Sequence, residues 1–415
     1  MLLYVIILKR IKKNGGNTMN KVVKAFASKT AYKVLHMKKS TKIALGVTAA
    51  ATAAAAGAFA YKAQQAKKQE RSLKSLVVED AIKRLPIRSS AQESYEEALE
   101  QSSRPYVLPE FARTTIGMTE YDDFDDTFVL EPKDKYSDFV IFYIHGHDFW
   151  SDPSKVHFKF YRKLADTLGA ELILPVYPKA PTYHVADVHE MLLDRYQYLV
   201  DVKEINPQDI IFAGDAAGGG LVLSLLQRLK YQAIPMPAQA ILISPWLDIT
   251  NTNPDMQEVQ GTDPLLNVDK LAFRGREYAG EVDLESPVVS PIYGDLKGLP
   301  PMTVITGTHD ILSVDSINLK TIAEAQELDI NVFTFVNQLH FFVGLPIPEA
   351  NEALEIIAEE VFGVEDCGCE CECDECCDDI CDEAPEEIIE DDAEAKDEEP
   401  ESDTIVVDSS DILDF

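Results

Sequence analysis

Short apolar runs alternate with helical patterns through the middle of the chain. The helical patterns, in which apolar residues recur every three or four positions, include 188–202, 221–230, 317–328 and 350–361. Buried strands are typical of continuous apolar runs, and six such runs occur at 139–144, 171–176, 209–213, 240–244, 302–306 and 331–335. Strands that alternate with helices predict an α/β fold with a mostly parallel central sheet covered by helices on both faces.

The pattern divides the chain into three parts. A basic leader spans 1–71, a stretch of ordinary composition spans 72–363, and an acidic tail spans 364–415. The middle part is long enough for one large core. The net charge of −33 is carried mostly by the tail, so it says little about what the middle part binds.

An uncharged run at 43–61 dominates the leader. As a helix it would extend about 28 Å, close to the thickness of a bilayer core. The lysines before it and the small residues at its end fit a cleaved signal peptide, whereas its length and the basic residues Lys62, Lys67, Lys68 and Arg71 after it fit a retained anchor. We therefore expect the protein to be membrane-associated or exported. Basic residues beside an apolar run favour an anionic membrane surface, and no nucleic-acid motif occurs.

The tail has too few apolar residues to build a core, and we expect it to be disordered. A thiol-rich segment of this kind is compatible with a bound soft metal ion, with disulfide linkage or with no defined role. It holds all seven cysteines of the chain, namely Cys367, Cys369, Cys371, Cys373, Cys376, Cys377 and Cys381. The middle part therefore cannot depend on disulfides, and it shows no cofactor motif.

Small residues follow the third strand in Gly214-Asp215-Ala216-Ala217-Gly218, and a helical pattern comes next. Polar residues follow other strands, in His145-Gly146-His147-Asp148, at Asp310 and at His340. Further motifs in the same order are Tyr177-Pro-Lys-Ala-Pro181, Ser244-Pro-Trp-Leu-Asp248, Ser290-Pro-Ile-Tyr-Gly294 and Gln338-Leu-His-Phe-Phe342. Together these motifs resemble the hormone-sensitive-lipase branch of the carboxylesterases, the α/β-hydrolase fold-3 family, over about residues 106–362.

The resemblance implies an α/β-hydrolase fold with a helical cap built from 72–115 and 250–290, and hydrolysis of carboxylic esters. It places the nucleophile at Ala216, the orienting acid at Asp310 and the base at His340, in the chain order of the fold. The oxyanion hole falls on Gly146, His147 and Ala217. Ala216 stands where the family has serine, and His147 and Asp148 replace small residues of the oxyanion loop.

Other interpretations of these residues stay open. Asp310 is also compatible with a turn, with Asp315 as a helix cap, and His340 with packing against its phenylalanine neighbours. We expect Ser224 to be buried and His184 and His189 to lie in a loop and on a helix surface. A metal could activate water without a serine, using His145, His147, Asp148, His309, Asp310 and His340.

The sequence therefore favours a pseudo-esterase that binds a small ester-like or hydrophobic ligand, or a partner, without acyl transfer. One alternative is an active hydrolase that uses water activated by histidine or a metal. A second is an adaptor that works through its acidic tail, in which case deletion of 364–415 would abolish function and leave the domain folded.

Overall fold

The computed structural model describes residues 58–84, 95–121 and 123–363. The chain divides into two compact units, Met1–Gln65 and Ala66–Phe415. Residues 58–65 of the first unit are helical. The described helices include none long and apolar enough to cross a membrane. Residues 43–57 and the cysteine-rich tail lie outside the described part of the chain, so the predictions for them stay predictions.

The second unit is built on one sheet of eight strands in the order β1-β2-β4-β3-β5-β6-β7-β8. The neighbour pairs β1–β2 and β2–β4 are antiparallel, and all later neighbours pair parallel. The strands are β1 Thr119–Tyr121, β2 Phe124–Leu130, β3 Val140–Ile144, β4 Glu171–Pro175, β5 Ile210–Asp215, β6 Gln239–Ile243, β7 Met302–His309 and β8 Ile330–Leu339.

Helices cover both faces of the sheet. They are α1 Leu73–Ile82, α2 Tyr95–Ser102, α3 Lys155–Leu168, α4 Val185–Gln197, α5 Ala216–Gln232, α6 Asp255–Val259, α7 Val268–Ala279, α8 Ser313–Gln326 and α9 Pro348–Phe362. Neighbouring strand residues point to opposite faces, so Ile211 and Phe212 of β5 join two different apolar clusters. Burial on both faces explains why the central strands are continuously apolar rather than alternating.

The predicted fold class is confirmed, and each of the six predicted strands is present. The pair β1–β2 was not predicted, because β2 carries two aspartates and is only partly buried. The sequence pattern also did not predict helix α3. The two stretches expected to form a cap contain α1 and α2, and α6 and α7, respectively. Cap residues reach the oxyanion loop, since the Trp150 indole Nε1 donates a hydrogen bond to the Arg274 carbonyl of α7 at 3.3 Å.

Candidate active site

The turn between β5 and α5 holds Ala216 in a left-handed conformation, with φ of 46°. Its side chain is 2% exposed. The glycines around it leave no room for side chains, because a Cβ on Gly218 would lie 2.0 Å from the carbonyl oxygen of Ile144 and one on Gly214 would lie 2.6 Å from that of Gly218. A turn this tight between a strand and a helix presents one residue at its apex. That residue is Ala216.

We expect Gly218→Ala to lower the free energy of unfolding by about 3 kcal/mol or more, because the new methyl group collides with backbone rather than with a movable side chain. Gly261→Ala is the matched control. Its Cβ would meet no atom closer than 3.8 Å, so it should change stability by no more than about 1 kcal/mol. The urea midpoint of unfolding measures the stability of each variant. Equal midpoints for the two variants would show that the turn has room for a side chain at Gly218.

The predicted acid and base lie together at the carboxyl ends of β7 and β8. His340 Nδ1 is 3.0 Å from Asp310 Oδ2. The other carboxylate oxygen of Asp310 accepts the backbone N–H of Leu312 at 2.9 Å, which fixes the carboxylate. Burial lowers the pKa of His340, but the charge and hydrogen bond of Asp310 outweigh burial, and the net pKa lies above 6.5.

Asp315 does not have the role of helix cap that the alternative interpretation assigns to it. Its Oδ2 accepts the backbone N–H groups of Leu247 and Asp248 at 2.9 and 3.1 Å. Helix α8 has Leu312 at its N-cap, so Asp315 is not the cap. Burial raises the pKa of Asp315 to about 8. Asp310 is therefore the carboxylate that contacts the histidine.

Asp263, between the two cap helices α6 and α7, was not predicted as a site residue. It is fully buried, and its Oδ2 accepts the backbone N–H of Ile311 at 3.0 Å, next to Asp310. Burial, with the nearby Asp310 charge, raises the pKa of Asp263. Only the fold brings Asp263 to the acid–histidine pair, since no motif links these distant segments.

The oxyanion loop lies against the residue that precedes the apex. The Gly146 N–H donates to Asp215 Oδ1 at 3.0 Å, and a Cβ on Gly146 would overlap the same carboxylate. The next residue, His147, has φ of 71°. Its carbonyl accepts the backbone N–H of Ala217 at 3.4 Å. Two of the predicted oxyanion donors, the N–H groups of Gly146 and Ala217, are therefore already bound within the protein.

The two residues that replace small ones in this loop each have defined contacts. The His147 ring lies 4.6 Å from the His157 ring, and burial together with the neighbouring histidines and Arg274 holds the pKa of His147 well below 6.5. Asp148 forms an ion pair with the buried Arg274 of α7. The loop is thus attached to the cap by Asp148.

Of the residues proposed as metal ligands, Asp310 and His340 contact each other, but the others have partners elsewhere. His309 bonds Glu79 at 3.1 Å, Asp148 pairs with Arg274, and His145 stacks on Tyr177. Within 58–84, 95–121 and 123–363, no group of three histidine, cysteine, aspartate or glutamate side chains is arranged to hold a metal ion.

His184 and His189, which were predicted to lie in a loop and on a helix surface, differ in exposure. His184 is exposed at the N-cap of α4, as predicted for a loop residue. The prediction that His189 lies on a helix surface is wrong: it is 1% exposed, and its Nε2 lies 2.9 Å from the hydroxyl of Ser224. Ser224 is buried as expected, on the face of α5 that packs against α4.

Comparison with known proteins agrees with this geometry. A family profile described as the α/β-hydrolase fold matches residues 141–344. An esterase of Acinetobacter venetianus is 34% identical over 223 residues, which cover 53% of this chain and 73% of the esterase. An acetyl-hydrolase of Streptomyces hygroscopicus is 27% identical, covering 52% of this chain and 73% of the relative.

A solved esterase from the bacterial hormone-sensitive lipase family superposes with a TM-score of 0.59 at 24% identity, over 70% of this chain and 97% of that one. At this identity the structural likeness concerns the fold alone. The order of the strands, the turn at Ala216, the acid–histidine pair and the esterase relatives lead to one assignment. The chain belongs to the α/β-hydrolase fold-3 family of carboxylesterase- and lipase-like proteins.

Proposed function

We propose that this protein is an esterase homologue that binds a small ester-like or hydrophobic ligand in the former active site and does not transfer its acyl group. One observation carries the proposal. The apex of the turn presents the methyl group of Ala216, while the acid–histidine pair that would activate a serine there is complete. A methyl group has no lone pair with which to attack a carbonyl carbon.

The oxyanion loop supports the same conclusion. Acyl transfer needs backbone N–H groups that are free to stabilise the developing oxyanion. The Ala217 N–H instead donates to the His147 carbonyl. A bound ester would have to displace this carbonyl before its own oxygen could use the donor.

Aromatic side chains next to the loop favour an apolar ligand. The rings of Tyr95 and Trp150 lie 6.1 Å apart, and those of Trp150 and Phe273 lie 5.7 Å apart. Tyr95 and Phe273 are more than a third exposed. Aromatic surface with a few polar groups is typical of small-molecule sites.

Binding without turnover is tested by mixing the full-length protein with p-nitrophenyl butyrate. We expect a raised melting temperature, because a ligand that binds only the folded state stabilises it, and recovery of the intact ester. The Phe273→Ala variant should lose most of the temperature shift, whereas Tyr231→Ala, which removes an exposed tyrosine elsewhere on the surface, should keep it. Stoichiometric or faster release of nitrophenol by the native protein would overturn the proposal.

The pKa of His340 predicts the pH dependence of a variant in which the serine is restored. A histidine must be neutral to accept the serine proton, and the pKa of His340 lies above 6.5. We expect kcat/KM of the Ala216→Ser variant to rise with pH through an inflection above 6.5, in assays across a pH series. An inflection at or below pH 6.5 would show that Asp310 does not control the imidazole.

We also propose that residues 43–61 attach the protein to a membrane. Their uncharged composition supports this proposal. The full chain should sediment with membranes after alkaline washing, and a chain that begins at Ala66 should remain in the supernatant. Equal distribution of the two chains would contradict an anchor.

A further inference from the structure

Helix α1 carries polar side chains to the carboxyl ends of β7 and β8. We call residues 71–83, which include α1, the strap. The helix begins at its N-cap Ser72, whose hydroxyl accepts the Ser75 N–H at 3.0 Å. Its apolar side chains Val78 and Ile82 are buried in the core. This packing alone would hold the helix in place, so its buried polar face needs a separate explanation.

The first polar contact joins the strap to β7. Glu79, only 2% exposed, places Oε1 3.1 Å from His309 Nδ1. The same carboxylate pairs with Arg71 and Lys83. Burial alone would raise the pKa of Glu79, but the hydrogen bonds from His309, Lys83 and Arg71 lower it to about 2. A charged carboxylate therefore holds the residue directly before Asp310.

The second polar contact joins the strap to β8. The Ser75 hydroxyl donates to Gln338 Oε1 at 2.8 Å and accepts from Arg71 Nη2 at 2.8 Å. Gln338 is buried and stands two positions before His340. The ends of the two strands are also tightly packed, since a Cβ on Gly307 would lie 2.4 Å from the Gln338 carbonyl oxygen. A displacement of Gln338 would therefore move residues at the ends of both β7 and β8.

We propose that Arg71, Ser75 and Glu79 are positioning residues for the acid–histidine pair. Glu79 fixes the end of β7 from which Asp310 projects, and Ser75 fixes the end of β8 that leads to His340. Arg71 links the two contacts by donating to both. Buried ion pairs add little net stability compared with apolar packing, but a fully bonded polar network restricts the geometry of the groups it joins.

The proposal rests on the contacts of the strap and not on whether the pocket turns over an ester. The strap lies close to the start of the second unit.

The pKa of His340 is the readout, because it depends on the distance to Asp310. Full-length protein labelled with ¹⁵N-histidine is titrated by NMR, with the His340 signals assigned from a His340→Gln variant. Ser75→Ala removes the hydroxyl that contacts Gln338 and Arg71, and Glu79→Asp shortens the side chain that reaches His309. Neither variant changes the net charge. We expect both to lower the pKa of His340 toward 6.5, by about half a pH unit or more, because a looser pair stabilises the imidazolium less.

Ser103→Ala is the matched control, since Ser103 is exposed and its hydroxyl donates to the Glu100 carbonyl of α2, far along the chain from β7 and β8. It should leave the pKa of His340 unchanged. Urea unfolding of each variant separates positioning from stability. If Ser75→Ala and Glu79→Asp lower the urea midpoint but leave the pKa of His340 as it is in the native chain, the strap only packs and the proposal is wrong. If Glu79→Asp does not fold, the Ser75→Ala result decides in either direction.

Discussion

The Ala216→Ser variant is expected to hydrolyse p-nitrophenyl acetate with a kcat/KM at least about 10³-fold above that of the native chain. Asp310 and His340 already lie within hydrogen-bond distance of each other, so a hydroxyl at position 216 would complete a triad. Adding His147→Gly to this variant should raise kcat/KM by about a further 10²-fold, which is the usual contribution of one oxyanion donor. Glycine at this position accommodates the positive φ without strain and lets the loop move away from the Ala217 N–H.

Ala217→Ser is the matched control for this experiment. It places the same hydroxyl one residue beyond the apex, inside α5, where it is not presented to His340. We expect no gain in hydrolysis from it. If Ala217→Ser gained as much as Ala216→Ser, or if the folded double variant were no faster than the native chain, position 216 would not be the place from which attack occurs.

The second large effect concerns the acid. In the background of Ala216→Ser and His147→Gly, Asp310→Asn should lower kcat by about 10⁴-fold, because the amide no longer holds the imidazole in the required tautomer or stabilises its charge. Asp315→Asn is the control. Burial raises the pKa of Asp315 to about 8, so this group is largely protonated at neutral pH, and an amide of the same shape replaces it closely.

We expect Asp315→Asn to cost less than about tenfold in kcat. Steady-state assays of the two variants, with circular dichroism to check folding, separate the two carboxylates. A larger loss from Asp315→Asn than from Asp310→Asn would reverse the assignment of the acid.

The sequence predicted the parts of this protein whose position depends on local chemistry. The runs at 209–213 and 240–244 are apolar on both faces, and the glycines after the first run tolerate no side chain, so both the strands and the turn could be recognised. Asp310 and His340 follow strands directly. Their contact depends only on the ends of neighbouring parallel strands meeting at one edge of the sheet.

Contacts between distant segments could not be predicted in this way. Asp263 lies in a loop without a motif, and only the folded cap brings it beside Asp310. Arg71 looked like one more basic residue after an apolar run, yet its guanidinium is buried against Glu79. His189 lies in a helix whose polar residues suggested exposure, but its neighbour across the helix pair is Ser224. The partners of Asp263 and His189 lie too far along the chain to be read from spacing, whereas Glu79 is only eight residues from Arg71 and the burial of this pair depends on the packing of α1.

The contacts of the oxyanion loop with distant residues also could not be predicted from the sequence. His147 and Asp148 were recognised as replacements of small residues, and this suggested damage. In the structure Asp148 pairs with the buried Arg274, and the His147 carbonyl accepts the Ala217 N–H. The loop is therefore held in place by bonds within the protein.

The most direct test of lost acyl transfer uses the native full-length chain and its His340→Gln variant side by side. Both are incubated with p-nitrophenyl acetate, nitrophenol release is followed, and the intact mass of the protein is measured. We predict equal, background release from the two proteins and no acyl adduct on either. Release by the native chain that disappears in His340→Gln, or an acyl adduct that depends on His340, would contradict the account.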